Sequence, residues 1–398
     1  MESTKIGVVC IRSTLAVDDK TLNKNCDEFL GRLSKMGGFE FVEQNSSLMN
    51  VFFVQTGGSE IFFKEVYAHY AEPYLIIARR ENNSLAASLE IVTFLQNQGK
   101  KAVLLFGDDQ KIVDQLTKYA RFYYAKKRLS TMRLGVIGKP SDWLIASNVD
   151  YGEVKRKWGT TILEVPYDDL LNFIKKGNAK EDDPEVQEFI SKGGKLKDVL
   201  FSLNIEQALK RIAVAYSLDG FTLRCFDLVT KFKQTSCLGF GMLNDMGVLS
   251  GCEGDVPALL TMAIIYCLYE TPSFMANPSD IDIGNSNVTY AHCTCPLSMC
   301  ESYHLDTHFE SHGGIGIAGQ FRHEEVTAVK LHPNLGKLLT YEGNIINTPF
   351  HQNMCRTQID VHFDTDISKM IETPFGNHLV FMYGHHQEEL QEFFDYLA

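Results

Sequence analysis

Four short runs decide the fold class: KIGVVCI (residues 5–11), NVFFVQT (50–56), PYLIIAR (73–79) and KAVLLFG (101–107). Each is a nearly continuous apolar run of strand length, without polar alternation. A strand that is apolar on both faces is buried on both faces, as in a parallel sheet covered by helices. The stretches between them, Asp19 to Met36, Glu60 to Tyr70 and Ser84 to Gln98, carry the amphipathic pattern of such helices. Alternation over the first 125 or so residues predicts a small doubly wound domain.

Outward from there, the basic segment YYAKKRLSTMR (123–133) gives way to a strand-like run, Leu134 to Lys139, which opens a second α/β unit. TTILEVPYDDLLNFIKK (160–176) continues it. The polar stretch Lys175 to Lys195 reads as a surface excursion, Asn204 to Ser217 as an amphipathic helix, and Phe221 to Asp255 as a Cys/Gly-rich strand–loop region. From about residue 285 the texture is β-like: NVTYAHCT, GIGIAGQF, VTAVKLH, LLTYEGNIIN, CRTQIDVHF and HLVFMYG. The expected architecture is α/β: two doubly wound Rossmann-like α/β domains, 1–130 and 131–284, followed by a β-rich C-terminal domain, 285–398.

The 398 residues are 44% hydrophobic and 22% charged, the balance of an ordinary globular protein. A net charge of −12 argues against a general nucleic-acid binder, which needs clustered Lys and Arg to neutralise phosphates. The longest mostly apolar run, Val256 to Tyr269, is too short to span a bilayer. No signal-peptide pattern is visible at MESTKIGVVCIRS, so the ten cysteines are expected as reduced thiols and the location as cytoplasmic.

Histidine placement points to the chemistry. Of 12 histidines only His69 precedes residue 292. Imidazole is both an acid–base group near neutral pH and a common metal ligand. In GCEGDVPALLTM (251–262), Gly251 and Gly254 flank Glu253, Asp255 is placed to cap a helix, and Pro257 suits its first turn. That helix is apolar around most of its circumference and should be buried, so Glu253 would sit beside a buried helix N-terminus. His292 ends a strand-like run and is followed by Cys293, Cys295 and Cys300, with His304; their spacing matches no standard zinc-finger ladder. His308, Glu310 and His312 would share one face of a strand, or less well of a helix. His378 follows a Gly turn. Arg224 in TLRCF and Arg356 in CRTQ suit planar recognition of an anionic group.

GCEGDVPALLTM, SFMANPSDID (273–282), AHCTCPLSM (291–299), THFESHGGIGIAG (307–319), CRTQ (355–358) and PFGNH (374–378) occur in that order. Together they resemble the L-fucose isomerase and L-arabinose isomerase family, most closely bacterial fucose isomerase-like proteins, over residues 204–385 or so. The resemblance implies two α/β domains before a β-rich one, and a divalent metal, typically Mn2+. By position it implies Glu253, His292 and His378 as metal ligands. It also implies a homo-oligomer, a trimer or hexamer, in which the first domain closes over a neighbour's active site. The family's second acidic ligand falls in Phe274-Met275-Ala276-Asn277, where this chain has no acid.

The implied activity is aldose–ketose isomerisation of a small-molecule sugar or acidic sugar derivative, with no nucleic-acid or membrane partner. Passage through an enediol needs a base, an acid and positive charge for the developing oxyanion. Glu253 is the expected base. The candidates for its partner are Asp255, Asp282, Glu310 and His308, with Glu310 placed in the expected catalytic pair. Arg224, Arg356, Asn277 and His308 form the expected substrate-binding set. The missing acid motivates the alternative, a catalytically degenerate sugar-binding or regulatory protein on the same fold. A third reading is epimerisation or hydrolysis at the same metal.

Overall fold

The computed structural model describes residues 4–14, 19–45 and 48–397. The chain divides after Tyr124 into two compact units. In the first, strands β1 (Thr4–Ile11), β2 (Phe39–Glu43), β3 (Met49–Val54), β4 (Tyr74–Ile77) and β5 (Ala102–Leu105) form one parallel sheet in the order β2-β1-β3-β4-β5. Its continuous apolar runs have a direct cause. Ile6, Val51 and Phe53 pack into one core cluster, while their neighbours Val9, Phe52 and Val54 pack into another.

Helices Lys20–Gly37, Glu60–Val66 and Ser84–Asn97 occupy the three amphipathic stretches. Asp19 caps the first by accepting the N–H groups of Thr21 and Leu22, and Gly38 ends it in the left-handed region at φ 65°. At the carboxyl ends of β4 and β5 lies a polar cleft of about 750 Å3. Two of its arginines are already paired, Arg32 with Asp109 and Arg79 with Glu81.

The second unit joins a parallel sheet to a barrel. Strands β6 (Arg133–Ile137), β7 (Thr161–Val165), β8 (Gly220–Leu223) and β9 (Leu249–Gly251) lie in the order β7-β6-β8-β9. Then follow β10 (Phe274–Asp282), β11 (Asn287–His292), β12 (Cys300–Asp306), β13 (Gly316–Phe321), β14 (Glu325–Leu331), β15 (Leu338–Asn347), β16 (Thr357–Phe363) and β17 (Leu379–Tyr383). Six of these close an antiparallel barrel, β10-β11-β16-β15-β14-β17, and β12 pairs only with β13. Phe274, Tyr290, Phe363 and Phe381 are fully buried around it, with the Tyr290 and Phe381 rings 4.6 Å apart. The chain is thus α/β with parallel-sheet, Rossmann-like regions and a C-terminal antiparallel β-rich region.

Three local expectations are corrected. Lys175 to Lys195 is more than a surface excursion, because it contains helix Pro184–Ser191, whose Val186 and Phe189 enter the core. The Cys/Gly-rich region from Phe221 to Asp255 is helical where it was expected to be loop, in Phe226–Phe232 and Cys237–Asp245. His308, Glu310 and His312 lie in turns between β12 and β13, not on a strand face, and His312 has φ 52°.

The helix after β9, Val256–Tyr269, forms as its sequence requires: Asp255 is its N-cap and accepts the Ala258 N–H at 2.8 Å. Its circumference is so apolar that only Tyr266 and Tyr269 escape full burial. Among the described residues no helix is long and apolar enough to cross a membrane.

Candidate functional site

Three chain segments from distant parts of the sequence converge in the second unit. Glu253 projects from the turn after β9, His292 is the last residue of β11, and His378 immediately precedes β17. Each offers one ligand atom, and the three atoms lie within 4.8 Å of one another. His378 is fully buried, His292 is 4% exposed, and the Glu253 side chain is 13% exposed.

The turn holding Glu253 is conformationally expensive. Glu253 adopts φ 60° and Gly254 φ 71°. For a non-glycine residue the left-handed region costs about 1 kcal/mol or more. At Gly254 a Cβ would come within 2.8 Å of Pro140 Cα and 2.9 Å of the Lys139 carbonyl, so only glycine fits. The turn is pinned by the Ser141 N–H donating to the Glu253 carbonyl (3.2 Å) and the Gly254 N–H donating to Leu223 (3.0 Å). Backbone strain held in place by its surroundings is typical of functional sites.

His378 is oriented from behind. Its Nδ1 lies 2.9 Å from Asp255 Oδ2, and the fully buried Lys330 Nζ is 3.4 Å from the same oxygen. Burial alone would raise the Asp255 carboxyl, but the Lys330 charge and the His378 hydrogen bond outweigh it and hold the carboxyl well below its usual range. With Nδ1 engaged, Nε2 of His378 points toward Glu253 Oε1 at 3.6 Å, too far to hydrogen-bond, and has no hydrogen-bond partner among the described residues. A buried imidazole nitrogen left over in this way, backed by a carboxylate, is the arrangement metal-ligating histidines adopt. One carboxylate and two imidazoles suit a divalent first-row ion.

The three groups differ in protonation. Burial opposes ionisation of Glu253, yet His378, His292 and the Trp143 N–H bring its carboxyl to about 2. Burial and the neighbouring His378 depress His292 to about 4, so it is neutral near pH 7, with Nδ1 accepting the Thr294 N–H at 3.3 Å. Burial would also lower His378, but Asp255 and Glu253 raise it above its ordinary value. Metal uptake at pH 6 should therefore release about one proton, from His378, with release fading as pH rises past its raised pKa. Calorimetry of Mn2+ binding in buffers of differing ionisation enthalpy measures this; no release at pH 6 would contradict the assignment.

Beside the triad is a cavity of about 70 Å3 whose lining includes Asn277, Glu253, His292, His308 and Glu310. Five cysteines line it too: Cys225, Cys237, Cys252, Cys293 and Cys355. Cys225 and Cys252 have sulfurs 3.1 Å apart. Hydrogen bonds from Cys355 and His308 draw the Cys293 thiol far below its usual range despite its burial. Against its own burial, His308 is raised by Cys293 in return. The Asn277 carbonyl accepts the Asn377 amide at 2.9 Å.

Of the four candidates for a second proton carrier, His308 and Glu310 line the cavity. Asp255 is buried behind His378, and the Asp282 side chain caps the short turn Ile283–Asn285. The two arginines expected at the substrate do not line it. Arg224 spends its donors on Asp227 (3.0 Å), Asp142 (2.7 Å) and the Pro140 carbonyl (3.3 Å). Arg356 is 9% exposed, and its Nε donates to the Thr307 carbonyl at 2.8 Å, bracing the turn that carries His308.

Two residues in contact with the site were not foreseen. Lys330 stands in VTAVKLH, where a lysine inside an otherwise apolar strand was the available signal. Trp143, one of two tryptophans in the chain, donates Nε1–H to Glu253 Oε2 at 2.9 Å.

With that geometry in view, the similarities of the chain are informative. Two distant relatives are named sulfoquinovose isomerase. The one from Clostridium sp. (strain MSTE9) is 21% identical over 351 residues, covering 82% of this chain and 77% of the relative. The one from Alkalicoccus urumqiensis is 19% identical over 355 residues, covering 83% and 80%. No family model matches the chain.

Proposed function

We propose that this protein is a metal-dependent aldose–ketose isomerase, with Glu253, His292 and His378 holding a divalent cation such as Mn2+. The observation that carries the reading is the buried Nε2 of His378, 3.6 Å from Glu253 Oε1 and without a hydrogen-bond partner among the described residues. Its support from outside the site is the pair of distant relatives named for sugar isomerisation. The same names make sulfoquinovose, a glucose with a sulfonate at C6, the first substrate to test.

A bound divalent cation supplies positive charge to the sugar's carbonyl and hydroxyl oxygens as the oxyanion develops. The chain's residues do the rest. A carboxylate held at about 2 is a weak base, so Glu253 serves chiefly as ligand and electrostatic partner. Glu310 takes the proton from C2 and returns it at C1, while His308, lining the same cavity, gives a proton to O1 and takes the one leaving O2. Phe226 and the cysteines give the cavity apolar walls beside the polar triad.

A second reading, a non-catalytic sugar-binding protein, draws on one feature: at the position where the resemblance implies an acid stands Asn277, an amide that cannot shuttle protons and is already bonded to Asn377. Proton exchange separates the two. The Mn2+-loaded protein should convert sulfoquinovose, or another aldohexose, to its ketose in D2O with deuterium entering at the exchanging carbon, as read by NMR. Glu310→Gln should lower turnover by about a hundredfold or more while leaving Mn2+ stoichiometry unchanged. Sugar binding by calorimetry with no exchange in the metal-loaded protein would favour the binding-protein reading.

A further inference from the structure

We propose that Trp143 is a positioning residue for Glu253, holding one carboxylate oxygen so that the other is presented to the metal position. The proposal rests on the metal-site reading above and assigns a role to a side chain outside the triad.

The geometry is specific. Glu253 Oε2 accepts the indole N–H of Trp143 at 2.9 Å, while Oε1 is the oxygen facing His378 Nε2 at 3.6 Å. The two oxygens of one carboxylate therefore have different tasks. A glutamate has three side-chain rotors. The turn fixes its backbone at φ 60°, but nothing in the backbone fixes the carboxylate plane. A hydrogen bond to a charged acceptor is among the stronger ones, and here it removes that freedom before the ion arrives.

Trp143 is suited to the task because it is itself braced. Its ring meets Phe226 edge-on at 5.1 Å, and the Arg224 guanidinium lies over it at 5.8 Å. Arg224 is in turn fixed by Asp142 and Asp227. The segment carrying Trp143 is also the one against which the Glu253 turn is built, since the Ser141 N–H donates to the Glu253 carbonyl and Gly254 packs on Pro140. One short segment after β6 thus fixes both the backbone and the carboxylate of Glu253. This gives Arg224 a role other than the expected contact with substrate: it supports the indole.

The indole is 48% exposed, so replacing it need not disturb the core. Trp143→Phe keeps the ring and its neighbours and deletes only the N–H. The full-length protein, stripped of metal, is titrated with MnCl2 and free Mn2+ is followed by electron paramagnetic resonance. The melting temperature of the metal-free variant is recorded in parallel.

The expected result is an Mn2+ dissociation constant raised by about tenfold or more, with the melting temperature unchanged. In the isomerase assay, kcat should recover at saturating Mn2+ and KM for the sugar should stay as in wild type, with only the Mn2+ activation constant displaced. A merely structural tryptophan would instead lower the melting temperature and leave Mn2+ affinity alone. Wild-type affinity in Trp143→Phe overturns the role of Trp143 while leaving the metal site standing. Failure of the wild-type protein to bind Mn2+ at all overturns the metal-site reading and this proposal together.

Discussion

Glu253→Gln should leave the chain folded, abolish stoichiometric Mn2+ binding and reduce isomerase turnover by about a thousandfold or more. Glutamine has nearly the shape of glutamate and can still accept the Trp143 N–H, so the turn has no reason to collapse. What it lacks is charge. Glu253 is the only anionic member of the triad. It is ionised against the cost of its own burial because two imidazoles and an indole N–H face it. Removing the charge leaves two imidazoles, one of them raised by neighbouring carboxylates, to hold a divalent cation. Elemental analysis and a thermal melt on the same sample decide the matter. Full metal occupancy in a folded Glu253→Gln protein would remove this residue from the site.

The second large effect is on stability. Lys330→Met should destabilise the second unit by about 3–5 kcal/mol, because it takes the lysine charge from a buried carboxylate and leaves His378 as its remaining ionisable partner. For a unit of this size that is roughly a 10 °C fall in melting temperature. Lys330 and Asp255 are both fully buried, the lysine as the penultimate residue of barrel strand β14. The pH dependence follows from the direction of the Asp255 shift. Its folded pKa is depressed, so its contribution is fully present above the unfolded value and is lost as pH falls toward the folded one. Without Lys330 the depression shrinks. The gap between wild type and variant should be widest near pH 7 and should narrow below about pH 4. Equal destabilisation at both pH values would mean that lost packing, and not the ion pair, carries the effect.

Much of this was legible in the residues. Continuous apolar runs such as NVFFVQT announce strands covered on both faces, and Phe52 and Phe53 do pack on opposite sides of the first sheet. Asp255, Pro257 and the apolar run after them mark a capped, buried helix, and it is there. Glu253, His292 and His378 were expected together by resemblance, and they stand together.

What escaped has physical reasons. His308 and Glu310 were named as candidates and do line the cavity, but from a turn and not the expected strand face, because turn geometry has no period to read. Arg224 has a charge and a plausible position, but sequence does not reveal that Asp142 and Asp227 already claim its donors. Trp143 and Lys330 act on residues more than 70 positions away in the chain, and such pairings exist only after the sheet and barrel have formed. The barrel's closure is of the same kind: β10 and β17 pair across roughly 100 residues, through Phe274 with Phe381 and Ala276 with Leu379.

The division of the triad between two kinds of secondary structure has a thermodynamic consequence. Glu253 follows a strand of the parallel sheet, whereas both imidazoles belong to strands of the barrel or their flanks. Neither the sheet nor the barrel alone carries a complete set of donors. An ion bound there would tie the sheet to the barrel within that one unit. By mass action, metal at a hundredfold excess over its dissociation constant would add about 2.7 kcal/mol against undocking. Metal supply would then bear on the stability of the second unit as a whole as well as on whether the site can turn over.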